Sequence, residues 1–144
     1  MIQRIQSLFL AISAGISIAT FMIPFGEKMD SEGKKQTLNL MGDANQVPSY
    51  ELILVNALVL LVAIAAVFNF KKRALQMKLC RLGSLLSIAL LVLAFYASES
   101  LAGEGKVLFQ FGIYLNAVQP VMFFVARRYI HKDDLLVKSA DRIR

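Results

Sequence analysis

Four stretches of this chain carry no ionisable acid or base: Ile5–Gly26, Leu52–Phe70, Leu82–Ser98 and Val107–Ala126. A helix needs roughly 20 predominantly apolar residues to cross about 30 Å of hydrocarbon, and each stretch meets or approaches that length. Together they take more than half of the 144 residues, in a chain that is 57% hydrophobic. No room remains for an independent soluble domain. Extending the third stretch to Leu79 brings Cys80 and Arg81 to its edge, where an arginine snorkels to the headgroups. The expected spans are therefore residues 5–26, 52–70, 79–98 and 107–126, with loops 27–51, 71–78 and 99–106 and a tail 127–144.

The charges between the stretches are sorted by sign. If the chain weaves, one side holds twelve of the sixteen Lys and Arg residues with three acids, and the other holds four with seven acids. The positive-inside rule then puts both termini and the 71–78 loop in the cytoplasm. Arg4 ahead of an apolar stretch has the outline of a secretory signal. That stretch exceeds the roughly 7–15 residues of a signal core and lacks a small-residue cleavage site, so a retained transmembrane helix is expected. The net charge of +6 reads as a topology signal and as contact with an anionic leaflet. No nucleic-acid partner is expected. The single cysteine, Cys80, excludes an intramolecular disulfide.

The 27–51 loop contains Asp30-Ser31-Glu32-Gly33, which has type I turn chemistry between Glu27–Met29 and Lys34–Leu40. A short hairpin fits there, although the strand propensity of its flanks is mediocre. Ser49, after Pro48, suits a helix N-cap. The basic 71–78 turn forces an antiparallel helical hairpin, and Glu99–Lys106 joins the last two spans through Gly103 and Gly105. Short connections make neighbours adjacent. The expected fold is all-α: a polytopic membrane protein with four transmembrane helices in an up-down bundle. The two halves do not match each other, which weakens an inverted-repeat transporter.

Ser7, Ala11, Gly15 and Ala19 recur every four residues on the first span, and Gly83 and Ser87 form a shorter version on the third. Small side chains let backbones approach closely, so packing inside the bundle is the preferred reading and a seam for another membrane protein the alternative. On the fourth span Pro120 lacks an N–H and crowds the Asn116 carbonyl. Asn116 lies roughly 13 Å in from Val107, near mid-membrane. That freed carbonyl, the Asn116 amide and Gln119 must find partners within the protein or line a cavity, with Asn56, Ser13, Ser17 and Ser87 as candidate partners. A kink satisfied by neighbouring side chains is preferred over a transport site.

No acid or base occupies the middle of any span, where proton relays and ion sites ordinarily place one. His131 has no Cys or second His nearby to complete a metal site. No phosphate-cradling glycine loop and no nucleophile–base arrangement occurs. Neither an enzyme, a cofactor nor a metal is expected. The tail from Arg127 to Arg144 contains no Gly or Pro. Asp134 and Lys138 have favourable i,i+4 polarity, and Leu136, Ala140 and Ile143 share one face. The tail is expected to be an amphipathic cytoplasmic helix, lying on anionic lipid or docking a partner. It either runs straight on from the fourth span or bends into a short separate helix at the membrane surface.

Three segments also carry a resemblance: the opening Met1-Ile2-Gln3-Arg4-Ile5-Gln6, the central Lys72–Leu82, and the closing Arg128–Arg144 with Lys132-Asp133-Asp134 and Leu136–Arg142. Together they resemble an uncharacterised bacterial family, a domain of unknown function found as small four-helix integral membrane proteins. The resemblance implies a four-helix fold in a bacterial inner membrane and supplies no catalytic residue. It also implies that the short cytoplasmic motifs matter more than the transmembrane surface. The leading expectation is a non-enzymatic accessory or scaffold subunit. Its contact residues would be Arg4, Lys71, Lys72, Arg73, Lys78, Arg81, Arg127, Arg128 and, in the tail, Lys132, Asp133, Asp134, Leu136, Lys138, Ala140, Asp141, Arg142, Ile143 and Arg144. Its partners would be anionic lipid and another membrane or cytosolic protein. The alternative is a small transporter or channel for a neutral or apolar solute, built on Asn116, Gln119 and Pro120.

Overall fold

A computed structural model describes residues 2–29, 35–41, 49–102 and 107–141. Among these, helices α1 (Ile2–Thr20), α2 (Tyr50–Phe68), α3 (Arg73–Ala102) and α4 (Phe111–Asp141) alternate with strands β1 (Gly26–Met29), β2 (Lys35–Leu38) and β3 (Val107–Phe109). The helices pack in the cyclic order α1–α2–α3–α4, closed by α4 against α1. Contacts fix neighbours as antiparallel: Gln6 near the start of α1 donates to the Tyr129 carbonyl late in α4, and Gln76 early in α3 donates to the Ala66 carbonyl late in α2. The expected up-down four-helix arrangement is therefore present.

Each helix carries a buried stripe that alternates steps of four and three residues over most of its length. The stripes are Gln6, Leu10, Ser13, Ser17 and Thr20 on α1, where Ile16 is buried beside Ser17, and Leu52, Asn56, Val59, Ala63 and Ala66 on α2. On α3 the stripe runs Gln76, Cys80, Gly83, Ser87, Leu90, Ala94, with Ser98 buried a further four residues on, and on α4 Gly112, Asn116, Gln119, Phe123, Ala126, Ile130. An average step of 3.5 keeps a stripe on the seam between left-handed supercoiled helices. Most of these seam residues are small or polar. Many large apolar side chains lie outward: Leu61, Val92 and Phe124 are 62%, 61% and 59% exposed. Among the described residues two helices, Tyr50–Phe68 and Arg73–Ser100, are long and apolar enough to cross a membrane, and the apolar part of α1 is the shorter Ile5–Thr20.

Several boundaries differ from the sequence expectation. The hairpin does form, with Gly26 opposite Leu38 and Met29 opposite Lys35, while the Asp30–Gly33 turn lies outside the described residues. Residues 107–109, expected at the head of the fourth span, form β3 and pair with β1 to give a sheet in the order β2-β1-β3. Their apolar side chains are as compatible with a strand as with a helix, and the exposed edge of β1 supplies the backbone partners. The Phe25 amide bonds the Leu38 carbonyl, and the Gln110 amide bonds the Phe25 carbonyl. This sheet caps one end of the bundle over a core of Phe25, Leu38, Leu40, Leu52, Leu90 and Ala94.

At the opposite end the helices overrun the expected connections. Arg73 already opens α3, so the 71–78 turn is reduced to a few residues after Phe68. The tail is not a separate short helix: α4 continues through Pro120 to Asp141. Nothing in Arg127–Asp141 breaks a helix, so hydrogen bonding propagates from the packed part of α4. Ser49 is the N-cap of α2, and its backbone carbonyl rather than its hydroxyl makes the capping contact, accepting from Ile53.

Candidate functional site

A polar layer crosses the bundle between two apolar layers. On the sheet side lies the Phe25–Leu90 core, and on the other a core of Leu10, Val59, Ala63, Ala66, Cys80, Phe123, Ala126 and Ile130. Between them stand Ser13 and Ser17 from α1, Asn56 from α2, Ser87 from α3 and Asn116 and Gln119 from α4, all fully buried. Heptad spacing brings them to one level. The Asn56 amide donates to the Ser17 carbonyl at 3.0 Å, and the Gln119 amide donates to the Ser13 carbonyl at 3.1 Å and to the Ser17 hydroxyl. Asn116 and Ser87 turn back onto their own helices, to the Gly112 and Gly83 carbonyls at 3.0 and 2.7 Å.

Ser13 and Ser17 are thus partners of this cluster as the sequence suggested, while Ser87 serves only α3. Every amide nitrogen in the layer is used. The Asn56 Oδ1, Asn116 Oδ1 and Gln119 Oε1 atoms, and the Ser13 Oγ, have no hydrogen-bond partner. The layer is therefore rich in acceptors, which favours donors such as water or a neutral hydroxylic solute.

The small-residue stripes separate into two fates. A Cβ built on Gly83 would lie 2.5 Å from the Phe123 ring, so α3 and α4 approach there only because Gly83 has no side chain. Ser87 follows it into the seam. On α1 the expectation of internal packing is corrected: Ala11 and Gly15 are exposed, Ser7 and Ala19 half-buried, and a Cβ at Gly15 meets nothing within 4 Å. A step of four residues drifts about 40° per repeat around a helix of 3.6 residues per turn, so that stripe leaves the seam. Gly112 was not singled out from sequence. Its Cβ would lie 2.6 Å from the Pro24 carbonyl, and its amide donates to that oxygen at 3.1 Å, which locks α4 against the sheet end.

The expected cytoplasmic contact residues gather at the end away from the sheet. Lys71, Lys72, Lys78, Arg81, Arg128, Lys132, Leu136 and Lys138 are exposed, whereas Arg73, Arg127, Asp133 and Asp134 are half-buried. Arg4, Ala140 and Asp141 lie in helices, but their side chains lie outside the described set, as do Arg142, Ile143 and Arg144 altogether. Arg73 Nε lies 3.2 Å from Asp133 Oδ2, tying the start of α3 to α4. Asp134 pairs with Lys138 at 2.6 Å, the i,i+4 contact expected from sequence. That hydrogen bond from Lys138 holds the Asp134 carboxyl below the usual carboxylate range, helped by the Lys138, Arg73 and His131 charges. Phe9 stacks on Tyr129 at 5.7 Å beside the Gln6 contact.

Cavities flank the bundle among the described residues. One of about 220 Å³ is lined by Met77, Phe124, Arg127, Arg128 and His131, and one of about 340 Å³ near the sheet is lined by residues including Tyr50, Glu51 and Tyr96. Among the described residues no three His, Cys, Asp or Glu side chains converge where a metal could be held.

A family model described as a domain of unknown function (DUF4293) matches residues 2–143, nearly the whole chain. No curated protein and no solved structure matches it.

Proposed function

We propose that this chain, which belongs to the DUF4293 family, is a non-enzymatic accessory or scaffold subunit spanning a bacterial inner membrane four times with both termini in the cytoplasm. The membrane reading is supported by the burial pattern: most seam residues are polar or small, and many large apolar residues face out from all four helices. A soluble bundle has the opposite arrangement, because apolar area must leave water. The 12-to-4 split of basic residues across the two ends supports the orientation. The test is alkaline carbonate extraction followed by labelling of single cysteines introduced at Gln36 and Leu136 in a Cys80→Ala background. Release into the supernatant ends the membrane reading, and labelling of Leu136→Cys from the periplasmic side reverses the topology.

The observation that carries the docking role is the overrun of α4. Its last buried seam residue is Ile130, yet the helix continues to Asp141 and leaves Leu135, Leu136 and Val137 exposed at 53%, 50% and 38%. Exposed apolar residues on a helix that runs past its last seam residue suit contact with another protein. Comparing proteins that co-purify with full-length protein and with a version ending at Lys132 tests this. Identical sets remove the docking role.

A second reading is favoured by the four unpartnered acceptors of the polar layer: passage of a small neutral solute through the bundle. Solute uptake by reconstituted vesicles, with Gln119→Leu as the blocked variant, separates it from the scaffold role.

A further inference from the structure

We propose that the groove between the start of α3 and the basic part of α4 holds one anionic phospholipid, its phosphate at Arg127, Arg128 and His131 and its first acyl carbons against Met77 and Phe124. The proposal rests on the membrane reading above and deepens it by naming a site. Phe124, Arg127, Arg128 and His131 recur at i, i+3, i+4 and i+7, so one stripe of α4 faces the cavity, and Met77 closes it from α3. The lining changes character along the helix: apolar at Phe124, then polar from the cationic Arg127 and Arg128 to His131, about 6 Å past Arg127. A phospholipid has that same order from chain to headgroup. The ion-free run of the fourth segment ends at Ala126, which puts the two arginines at headgroup level.

The neighbouring acids are engaged elsewhere. Asp133 is tied to Arg73 and Asp134 to Lys138, and among the described residues no carboxylate meets Arg127 or Arg128. Arg127 is half-buried beside the Phe123–Ile130 core, so its charge is partly removed from water without a carboxylate to offset it. An external phosphate supplies the missing anion, with paired oxygens that a planar guanidinium can bind bidentately. A volume of about 220 Å³ is smaller than a typical small-molecule pocket of roughly 300–1,000 Å³. It suits a headgroup and the top of a chain rather than a whole soluble ligand. The larger cavity at the sheet end carries Glu51 and no cation, and so offers no anion site.

Full-length protein is purified in mild detergent, stripped of lipid, and titrated with phosphatidylglycerol or phosphatidylcholine by native mass spectrometry. A parallel arm adds inorganic phosphate as competitor. Phosphatidylglycerol is expected to bind about tenfold tighter than phosphatidylcholine, a margin that two surface arginines supply. The preference is expected to vanish in R127Q/R128Q and to resist millimolar phosphate. Met77→Trp keeps every charge and fills the groove, so it is expected to weaken phosphatidylglycerol severalfold even if the arginine variant folds poorly. Equal binding of both lipids, displacement by phosphate, or full binding by Met77→Trp overturns the site. Carbonate extraction of the same membranes separates the two failures: retained protein without lipid preference refutes this site alone, and released protein refutes the membrane reading.

Discussion

Gly83 and Gly15 each anchor a stripe of small residues, and they sit in opposite surroundings. Gly83 is pressed against the Phe123 ring, and Gly15 faces outward with nothing within 4 Å of its missing Cβ. The difference lies in the spacing. Gly83, Ser87, Leu90 and Ala94 alternate four and three residues, which averages to the 3.5 of a supercoiled seam. Ser7, Ala11, Gly15 and Ala19 step by four throughout and rotate off it. Small residues alone do not mark an internal contact; their period does.

The largest effect is expected where that contrast is sharpest. Gly83→Leu drives a whole side chain into the Phe123 ring, and overpacking of this kind costs about 1–3 kcal/mol or more. Thermal unfolding in detergent, followed by circular dichroism, is expected to drop clearly. Gly15→Leu is expected to stay within about 0.5 kcal/mol of the parent, as outward substitutions do. Equal destabilisation by both variants breaks the comparison. An unchanged unfolding curve for Gly15→Leu together with loss of a larger complex sharpens it, because the stripe on α1 then contacts another chain.

A smaller effect is expected in the polar layer. Gln119→Leu removes donors to the Ser13 carbonyl and Ser17 hydroxyl, and interhelical hydrogen bonds within membranes average about 0.6 kcal/mol. The same substitution removes an oxygen that has no partner, so part of the loss is offset. A net change near 0.5 kcal/mol is expected, well below that of Gly83→Leu. A loss of several kcal/mol would mean that Gln119 Oε1 is satisfied in the native protein, by water or by solute.

Much of this arrangement was legible from residue types. Four ion-free runs gave four helices in an up-down bundle. Of the candidate partners Asn56, Ser13, Ser17 and Ser87 for Asn116 and Gln119, Ser13 and Ser17 do meet Gln119, whereas Asn56 bonds Ser17 and Ser87 its own helix. The seam was harder to read because hydropathy is high on every face of α2 and α3, so no apolar stripe stands out. The inverse pattern was present: Gln6, Ser13, Ser17 and Thr20 on α1 already keep the four-and-three spacing. β3 was missed because Val107–Phe109 is apolar and adjoins a helix, and only pairing with β1 selects the strand. Gly112 was missed for a related reason, since its close contact is with the Pro24 carbonyl, remote in sequence.

At the basic end the contacts are looser than on the seam. Arg73 and Asp133 lie 3.2 Å apart with side chains 25% and 14% exposed, yet Asp133 Oδ2 receives no aligned hydrogen bond. Arg73→Gln is accordingly expected to cost about 0.5 kcal/mol, in the range of partly exposed ion pairs, and less at high salt. Salt-independent destabilisation would assign Arg73 a packing role instead, through its aliphatic stem over α4.

The smallest effect is expected at Asp134, where only the end of α4 responds. Its carboxyl titrates below the ordinary range because Lys138 donates a hydrogen bond to it, with the Lys138, Arg73 and His131 charges adding to the shift. A depressed carboxyl contributes stability above its unfolded value and loses it as pH falls through the folded one. Acidification is therefore expected to fray the turn around Asp134–Lys138 while the Gly83–Phe123 seam stays closed. Amide exchange resolved along α4 reads both places at once. Lys138→Gln is expected to move the Asp134 titration upward and to start the fraying at higher pH, with no change at Gly83. If the seam opens together with the tail, α4 unfolds as one unit, and the overrun beyond Ile130 is as firmly held as the bundle it extends.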